Sequence, residues 1–445
     1  VMAREANPAL VALINAATAH DVDILIDEDG VSIGHGIGSQ TWAMIDIPAP
    51  KDVEWRALHD VPLAFITGTN GKTTTTRLCA AIAHLDGNVV GQTSTDMVKV
   101  GDDILDRGDY SGPGGARMAL RDKRVQFACL EVARGGILRR GLATRHARVA
   151  VVTNIANDHL GEYGIATLAD LTQAKFAVAR ALSADGILVL NADDPNIVEA
   201  SKTVTATICW FSLDEASPQI TKARALGLPC AFLQKDALVF SAEPDRSWTI
   251  ALDSVPITLS GAAKHNTRNA LAAICACTAL GISDEVIQAG LSTFVSDPKN
   301  NPGRFNEFRY NGARVIVDFA HNAHSVAAVC DATAQIPAKR RFLMLSQPGD
   351  HSDHAIGEVT TNALEFRPDL IVTAEIADHL RGRLLGETTG VIRASAVAAG
   401  FSGDNIMAAS SPSVGTKIIL DKLESNDLAL LLVLSDRDAV FQSLA

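Results

Sequence analysis

Gly71, Lys72 and Thr73 close the stretch "FITGTNGKTTTTRL" (residues 65–78), and their types suit phosphate binding. A lysine supplies a point charge to the β- and γ-phosphates. The hydroxyl after it can ligate magnesium, and glycines let backbone N–H groups close on an anion. The common spacing G-x-x-x-x-G-K-[ST] would require glycine at position 66, where this chain has Ile66. Its first glycine is Gly68, so the loop contracts to G-T-N-G-K-T: Gly68, Thr69, Asn70, Gly71, Lys72, Thr73, with Thr74 following. A Gly-rich turn with a solvated lysine is the competing reading. The flanks favour a phosphate loop. Val61–Ile66 is a short apolar run, as a strand buried on both faces would be, and Leu78, Ala81, Ile82 and Leu85 recur at helical spacing. Strand, glycine loop and helix together aim backbone donors at an anion.

Further polar clusters follow directly on apolar runs. Glu131 ends "FACLE"; Asn154, Asp158 and His159 follow "VAVVT"; Asn191, Asp193 and Asp194 follow "GILVL". In open α/β sheets ligands bind outside the carboxyl ends of strands, so these clusters are expected to converge on one crevice. Glu131 has the oxygen chemistry magnesium prefers, and His159 is a candidate ligand beside it, although a satisfied structural histidine is the commoner case. Thr167 and Asp170 form a capping box that starts a helix, with Leu168, Leu171, Val178 and Leu182 as its apolar stripe. Lys175 lies on that stripe. Two readings stand open for it. Its stem packs along the stripe while its head reaches water, or a desolvated amine is kept neutral and reactive, able to take up carbon dioxide as a carbamate.

These residues need elements to hold them, and 445 residues are enough for two or three domains. Hydrophobic residues make up 47% and charged residues 20%, ordinary for a soluble enzyme. The net charge of −12 argues against a nucleic-acid surface, and no apolar run reaches membrane-spanning length. Residues 1–20 lack the basic and apolar regions of a signal peptide, and the chain begins at Val1 rather than Met. Seven scattered cysteines with no C-x-x-C suggest neither disulfides nor zinc, and fit a reducing, cytoplasmic setting. Residues 1–58 read as a helical start and a hairpin at Asp29-Gly30. Residues 59–298 alternate strand-like runs (Val61–Ile66, Phe127–Val132, Val149–Thr153, Ile187–Leu190) with helical ones, the last helix running from about Asn266 to Leu280 and capped by Gly281. The alternation restarts over 299–445, at Val315–Phe319, Phe342–Ser346, Leu370–Ala374 and Leu428–Leu434. The fold class is therefore α/β: a short N-terminal segment, a P-loop-type domain on a parallel sheet, and a smaller Rossmann-like α/β domain. Pro298, Pro302 and Gly303 mark a hinge between the last two.

Seven motifs occur in fixed order: "TGTNGKTTTTRL", "LEVARGGILRRGL", "VVTNIANDHLG", "LNADDP", "KHNTRNALAA", "NPGRFN" and "VIVDFAHNAHS". This set resembles the Mur ligase family over roughly residues 60–440, and the contracted loop spacing is that family's own. "GQTSTDMVKVGDDILDRGDYSG", "ARGGILRRGL" and "LRGR" are similar to the Mur-type half of cyanophycin synthetases in particular. The resemblance implies an ATP-dependent ligase that phosphorylates a carboxylate and lets an amine displace the phosphate. Residues 68–74 would hold ATP. Thr73, Glu131 and His159 would hold magnesium, and Lys175 falls where many members carry a carbamylated lysine. Asn269 falls near the adenine, Arg304 at the phosphates, Asp318 at the ribose, and His321 and Asn322 beside the nucleotide. Lys72, Glu131, His159, Lys175 and Arg304 form the implied catalytic set.

The implied partners are a small amino acid or amine and a carboxylate acceptor, peptide or otherwise; homo-oligomerisation stays open. Thr95, Asp96, Ser111 and Arg134 are acceptor candidates by position, and Arg134 with Arg139 could grip acidic carboxylates as forks. Asp350, His351, Arg381 and Arg383 are candidates on the amine side. His351 departs from the subgroup's "PGDR" and replaces a permanent cation with a titratable one. Residues 1–58 are too short for a nucleotide-sugar domain, which argues against a UDP-linked substrate. Two alternatives are a folylpolyglutamate-type ligase, opposed by segment 91–112, and a nucleotide-binding partner with lapsed catalysis, opposed by the intact Lys72, Glu131, His159 and Lys175.

Overall fold

The computed structural model describes residues 7–158, 161, 163–242 and 246–445. These divide into two compact units. The first takes most of the chain up to residue 254 together with 268–293; the second takes, among the described residues, 156–158, 255–267 and 294–445.

The first unit is built on a mixed sheet. Its middle is parallel, in the spatial order Cys230–Gln234, Thr207–Ser212, Leu182–Asn191, Ala147–Val152, Leu63–Thr67, Phe127–Glu131 and Val90–Thr93. An antiparallel ribbon closes each edge, Ala237–Ala242 with Arg246–Ala251 on one side and Met97–Val100 with Asp103–Arg107 on the other. The expectation of a parallel sheet thus holds for the middle and not for the edges. The edge strands were missed for a physical reason: Asp103–Arg107 is exposed along its whole length, and its two apolar residues, Ile104 and Leu105, are adjacent rather than alternating with polar ones.

Leu63–Thr67 sits at the centre with every residue buried. Its neighbours lie on both sides in register, Phe65 opposite Leu130 and Ile66 opposite Val151. Helix Lys72–Leu85 follows it, with Gly71 at its N-cap in the left-handed region at φ +83°. The capping box at Thr167 and Asp170 is present, but its helix runs only Leu168–Phe176. A 3-10 turn follows and Leu182 opens the next strand, so Leu182 is not on the helical stripe. The helix expected at 266–280 spans Lys264–Ala279, and Gly281 follows at φ +88°.

Residues 24–43 form the expected hairpin plus a third strand, Gln40–Ala43, around Leu13, Ala17, Val31 and Ile33. Arg121 ties this piece to the large sheet's helix layer, bonding the Asp27 carboxylate at 2.5 Å and the Gly30 carbonyl at 3.0 Å.

The second unit carries a sheet in the order Asn306–Tyr310, Ala313–Asp318, Leu428–Leu432, Arg341–Leu345, Leu370–Ala374 and Ile406–Ala409, parallel except for the first strand. Buried Ile316, Leu343, Leu430 and Ile371 point into one helix layer; Val315, Met344, Leu431 and Val372 point into the other. Leu428–Leu432 comes last in the chain yet lies between the strands ending at Asp318 and Leu345. All seven cysteines are buried free thiols, and burial pushes those of Cys230 and Cys330 up to about 12. Among the described residues no helix is long and apolar enough to cross a membrane.

Candidate active site

The G-T-N-G-K-T loop is tied to the end of the neighbouring strand. The Thr69 N–H donates to the Asn154 carbonyl at 2.8 Å and the Asn70 N–H to Asn154 Oδ1 at 2.9 Å. The Thr153 hydroxyl donates to the Asn70 carbonyl at 2.6 Å, and Asn154 Nδ2 to the same oxygen at 2.9 Å. Gly68 has φ +146°, and a Cβ there would stand 1.8 Å from Thr153 Oγ1. A Cβ on Gly71 would stand 2.3 Å from Asn269 Oδ1. The two glycines thus let the chain fold against fixed polar side chains where no other residue fits.

The side chains implied for ATP and metal gather here in part. The Thr73 hydroxyl donates to Glu131 Oε2 at 2.8 Å, both residues being buried, and Thr95 Oγ1 lies 3.5 Å from the same hydroxyl. Buried Thr74 is in the first turn of the helix. Lys72 Nζ donates to the Thr69 carbonyl at 2.9 Å, curling over the loop. Lys175 is 4% exposed and its Nζ donates to the Gly68 carbonyl at 2.7 Å. The head therefore does not reach water; it supports the loop from within. Asn269 rests against Gly71 and accepts from the Thr75 hydroxyl at 3.4 Å. His159 lies outside the described residues. Among these no group of three or more His, Cys, Asp or Glu side chains is placed to hold a metal. A hydroxyl and a buried carboxylate 2.8 Å apart at a phosphate-type loop are nevertheless the hard oxygen donors that suit magnesium.

Strand ends beyond the loop carry structural duties. Asn191 Nδ2 donates to the Thr153 carbonyl at 2.9 Å, and Asp194 accepts the Ile155 N–H at 2.6 Å. Asp96 pairs with buried Arg77 at 2.6 Å. The Ser111 hydroxyl donates to Asp109 at 2.6 Å, while its carbonyl receives the Ala133 N–H just before Arg134.

In the second unit Asp318 is buried at the end of its strand. Its carboxylate accepts the Phe305 and Ala320 N–H groups, each at 2.7 Å. Burial pushes its carboxyl up to about 6, against the opposing pull of Arg304 and the backbone donors. The Arg304 guanidinium lies 4.5 Å from the Phe319 ring centroid. Asn322 caps helix Ala323–Ala334, and the His321 ring nitrogen Nδ1 lies 3.1 Å from the Phe319 carbonyl. After the strand Arg341–Leu345, His351 is buried with Nδ1 2.8 Å from Gln347 Oε1, and its ring centroid is 6.4 Å from that of His321. Arg381 pairs with Asp350 at 2.6 Å. Arg383 bonds the Gly349 carbonyl at 3.0 Å, the His351 carbonyl at 2.6 Å and Asp353 at 2.7 Å.

Three residues in these sites escaped the sequence reading. Thr153 closes the phosphate-type loop, and its place at the end of "VAVVT" was a usable signal. Gln347 is 1% exposed with its amide nitrogen unpartnered among the described residues, and Glu375 is 5% exposed and accepts the Gly386 N–H at 2.8 Å. A lone amide after a strand, and a lone acid before a loop, gave no such signal.

The Mur ligase middle domain matches residues 66–277, and the Mur ligase glutamate ligase domain matches residues 303–432. The chain belongs to the Mur ligase family. It is 37% identical over 336 residues to the cyanophycin synthetase of Synechocystis sp., an alignment covering 75% of this chain and 38% of that protein. The chain spans about two fifths of the length of the cyanophycin synthetases it matches. Among solved structures, MurF from Acinetobacter baumannii has a TM-score of 0.61 at 19% identity, covering 86% of this chain and 76% of its own. FolC from E. coli, in complex with DHPP and ADP, has a TM-score of 0.60 at 19% identity, covering 86% and 87%. Both share the fold.

Proposed function

We propose that this chain is an ATP-dependent amide ligase of the cyanophycin-synthetase type, joining an amino acid or small amine to a carboxylate on an amino-acid or peptide acceptor. The observation that carries it is the contracted phosphate-type loop, locked by Thr153 and Asn154, with Thr73 bonded to buried Glu131. The similarity to cyanophycin synthetases favours this reading over a folylpolyglutamate-type ligase, whose resemblance is one of fold.

The acceptor carboxylate attacks the γ-phosphorus of ATP, giving an acyl phosphate and ADP. The amine then adds to the acyl carbon, and the tetrahedral adduct collapses to the amide and phosphate. The first step brings anions together, so cations and N–H donors must offset them. Lys72 and the backbone of residues 68–73 take that part. Lys72 Nζ would exchange its bond to the Thr69 carbonyl for phosphate oxygens. Magnesium, held by Thr73 and Glu131 with His159, would neutralise the phosphate charge. Lys175, buried under Gly68, is the candidate for carbamylation within this reading. Arg304, Asp318, His321 and Asn322 are the candidate nucleotide contacts of the second unit, and Asp350, His351 and Arg381 the candidate contacts for the amine. Consumption of ATP and seven free thiols support a cytoplasmic setting within this reading.

The test is phosphate release from ATP and magnesium across a panel of amino acids and acidic dipeptides, with Lys72→Ala beside the wild type. Turnover is expected to fall by roughly 10²–10³-fold in Lys72→Ala with an unchanged melt. A folded Lys72→Ala protein turning over like wild type removes this loop from the reaction.

A further inference from the structure

Asn191 is buried at the point where a ladder ends. Strand Leu182–Asn191 pairs with Ala147–Val152 as far as Leu190 opposite Val152. The next tie between the two is made by a side chain. Asn191 Nδ2 donates to the Thr153 carbonyl at 2.9 Å, while its Oδ1 accepts the Asp193 N–H at 2.9 Å. Bonds at both ends of the amide fix its orientation. Thr153 in turn closes on the phosphate-type loop, its hydroxyl donating to the Asn70 carbonyl at 2.6 Å. Asn191 thus acts on residue 70 through one intermediary.

Asp193, two residues on, works in another direction. Its Oδ1 accepts the Ser212 hydroxyl at 2.5 Å and its Oδ2 the Leu213 N–H at 3.0 Å, so the end of strand Thr207–Ser212 holds the carboxylate in place. The same Oδ2 accepts Arg268 Nε at 3.2 Å. Arg268 lies on helix Lys264–Ala279 beside Asn269, and Asn269 is the residue against which Gly71 packs. The carboxylate therefore anchors the helix next to the side chain that backs residue 71. The helix has a further tie at its far end, where Arg148 Nε donates to the Ala279 carbonyl at 3.3 Å and Arg148 pairs with Asp185.

We infer that Asn191 and Asp193 are positioning residues of the phosphate-type loop. One turn braces residue 70 on one flank through Thr153, and residue 71 on the other through Arg268 and Asn269. Residues 70 and 71 directly precede Lys72, so slack at either shifts the lysine and the backbone donors together. A binding loop keeps its geometry only when the groups behind it are themselves locked, and here both lines of support start from the same turn. That the loop's ligand is ATP rests on the amide-ligase reading; the brace does not.

Two measurements test it. Hydrogen exchange over residues 66–76 without ligand reads the brace itself, since the Thr69 and Asn70 N–H groups are bonded to Asn154. Phosphate release with ATP and magnesium reads its consequence. Asn191→Leu keeps the size and removes the amide. Arg268→Met keeps the stem and removes the charge, and Arg268→Lys keeps the ion pair. Arg148→Met loosens the same helix at its far end. Loop exchange is expected to quicken by roughly 10-fold in Asn191→Leu and roughly 3–5-fold in Arg268→Met, with the KM for ATP rising by similar factors. The kcat should stay within about threefold, because an ordered loop serves ground and transition states alike. Arg268→Lys and Arg148→Met should leave both readings within about twofold of wild type. A merely structural role would shrink the folded fraction, lowering kcat and the melt at an unchanged KM. Arg268→Met, at a partly exposed site, decides the question where Asn191→Leu does not fold. Unchanged loop exchange in Arg268→Met, or equal quickening by Arg148→Met and Arg268→Met, overturns the inference. Wild-type turnover with loop exchange and KM unchanged in the variants removes the brace and keeps the ligase reading. Quickened exchange in Arg268→Met, with a wild type that never releases phosphate, keeps the brace and removes the ligase reading.

Discussion

Two loops sit at the carboxyl ends of buried parallel strands, one in each unit, and they are held in different ways. The loop at 68–73 leans on the sheet itself: its backbone is bonded by Thr153 and Asn154, the end of the adjacent strand. The loop at 346–353 leans on another loop. Gly349 donates to the His379 carbonyl at 2.8 Å, and Arg381 and Arg383 reach in from the same connection. Arg381 is exposed and has φ +46°. The first loop has its partners made before any ligand arrives. The second keeps Gln347 Nε2 and Asp350 Oδ1 buried and unpartnered among the described residues, a cost a ligand or a small rearrangement can relieve. A group that never varies, such as triphosphate, suits a loop fixed by the sheet. A substrate that differs between relatives suits a loop fixed by replaceable side chains.

Substitutions can break this contrast. The largest effect is expected from Gly68→Ala, because its Cβ would meet Thr153 Oγ1 at 1.8 Å on a backbone at φ +146°. Loss of roughly 3 kcal/mol or more of stability, with loss of nucleotide binding, should show in a thermal melt and a fluorescent-nucleotide titration. A stable Gly68→Ala protein that binds nucleotide would mean the loop is not fixed by the sheet. Arg383→Ala should do less. It frees the carbonyls of Gly349 and His351, and is expected to raise the KM for the amine by roughly 5–10-fold while leaving that for ATP alone. Equal changes in both constants would erase the division of labour.

A further effect is a pH dependence, confined to mildly acidic solution. Asp318 has a folded pKa of about 6, raised by burial above its unfolded value of 3.8. Between about pH 4 and 6 the folded unit keeps a proton that the unfolded chain has released. The stability linked to this group is therefore fully present below about pH 4, falls as pH rises to about 6, and is level above that, a span of a few kcal/mol. Asp318→Asn cannot titrate, so that component of the Tm-against-pH curve should vanish whatever the absolute Tm. An identical slope in wild type and variant assigns the effect to another group.

How much of this was legible in the sequence follows from what each residue must do locally. The strand before Gly68 was readable because a run buried on both faces has to be apolar. The loop was readable because Gly68 and Gly71 answer local backbone demands. Lys175 was readable as an oddity on its stripe, but its bond to the Gly68 carbonyl joins residues 107 apart, and no period encodes that. Leu182 was misassigned because a leucine closing a helix and a leucine opening a buried strand are the same residue in sequence. Thr153, Gln347 and Glu375 were passed over because each matters through a partner that only the sheet order supplies. The N-terminal strand Gln40–Ala43 alternates half-buried and exposed positions, too weakly to be read over four residues.

The cysteines give the bench a clean background. All seven are buried, and the thiols of Cys79, Cys129, Cys230, Cys275 and Cys330 are pushed up, so few thiolates are present to react at neutral pH. A single cysteine placed on an exposed helix position, such as Ala398 in one unit or His84 in the other, would carry a maleimide dye while the native thiols stay silent. The wild-type chain is already the unlabelled scaffold for distance measurements by fluorescence, with no cysteine to remove first.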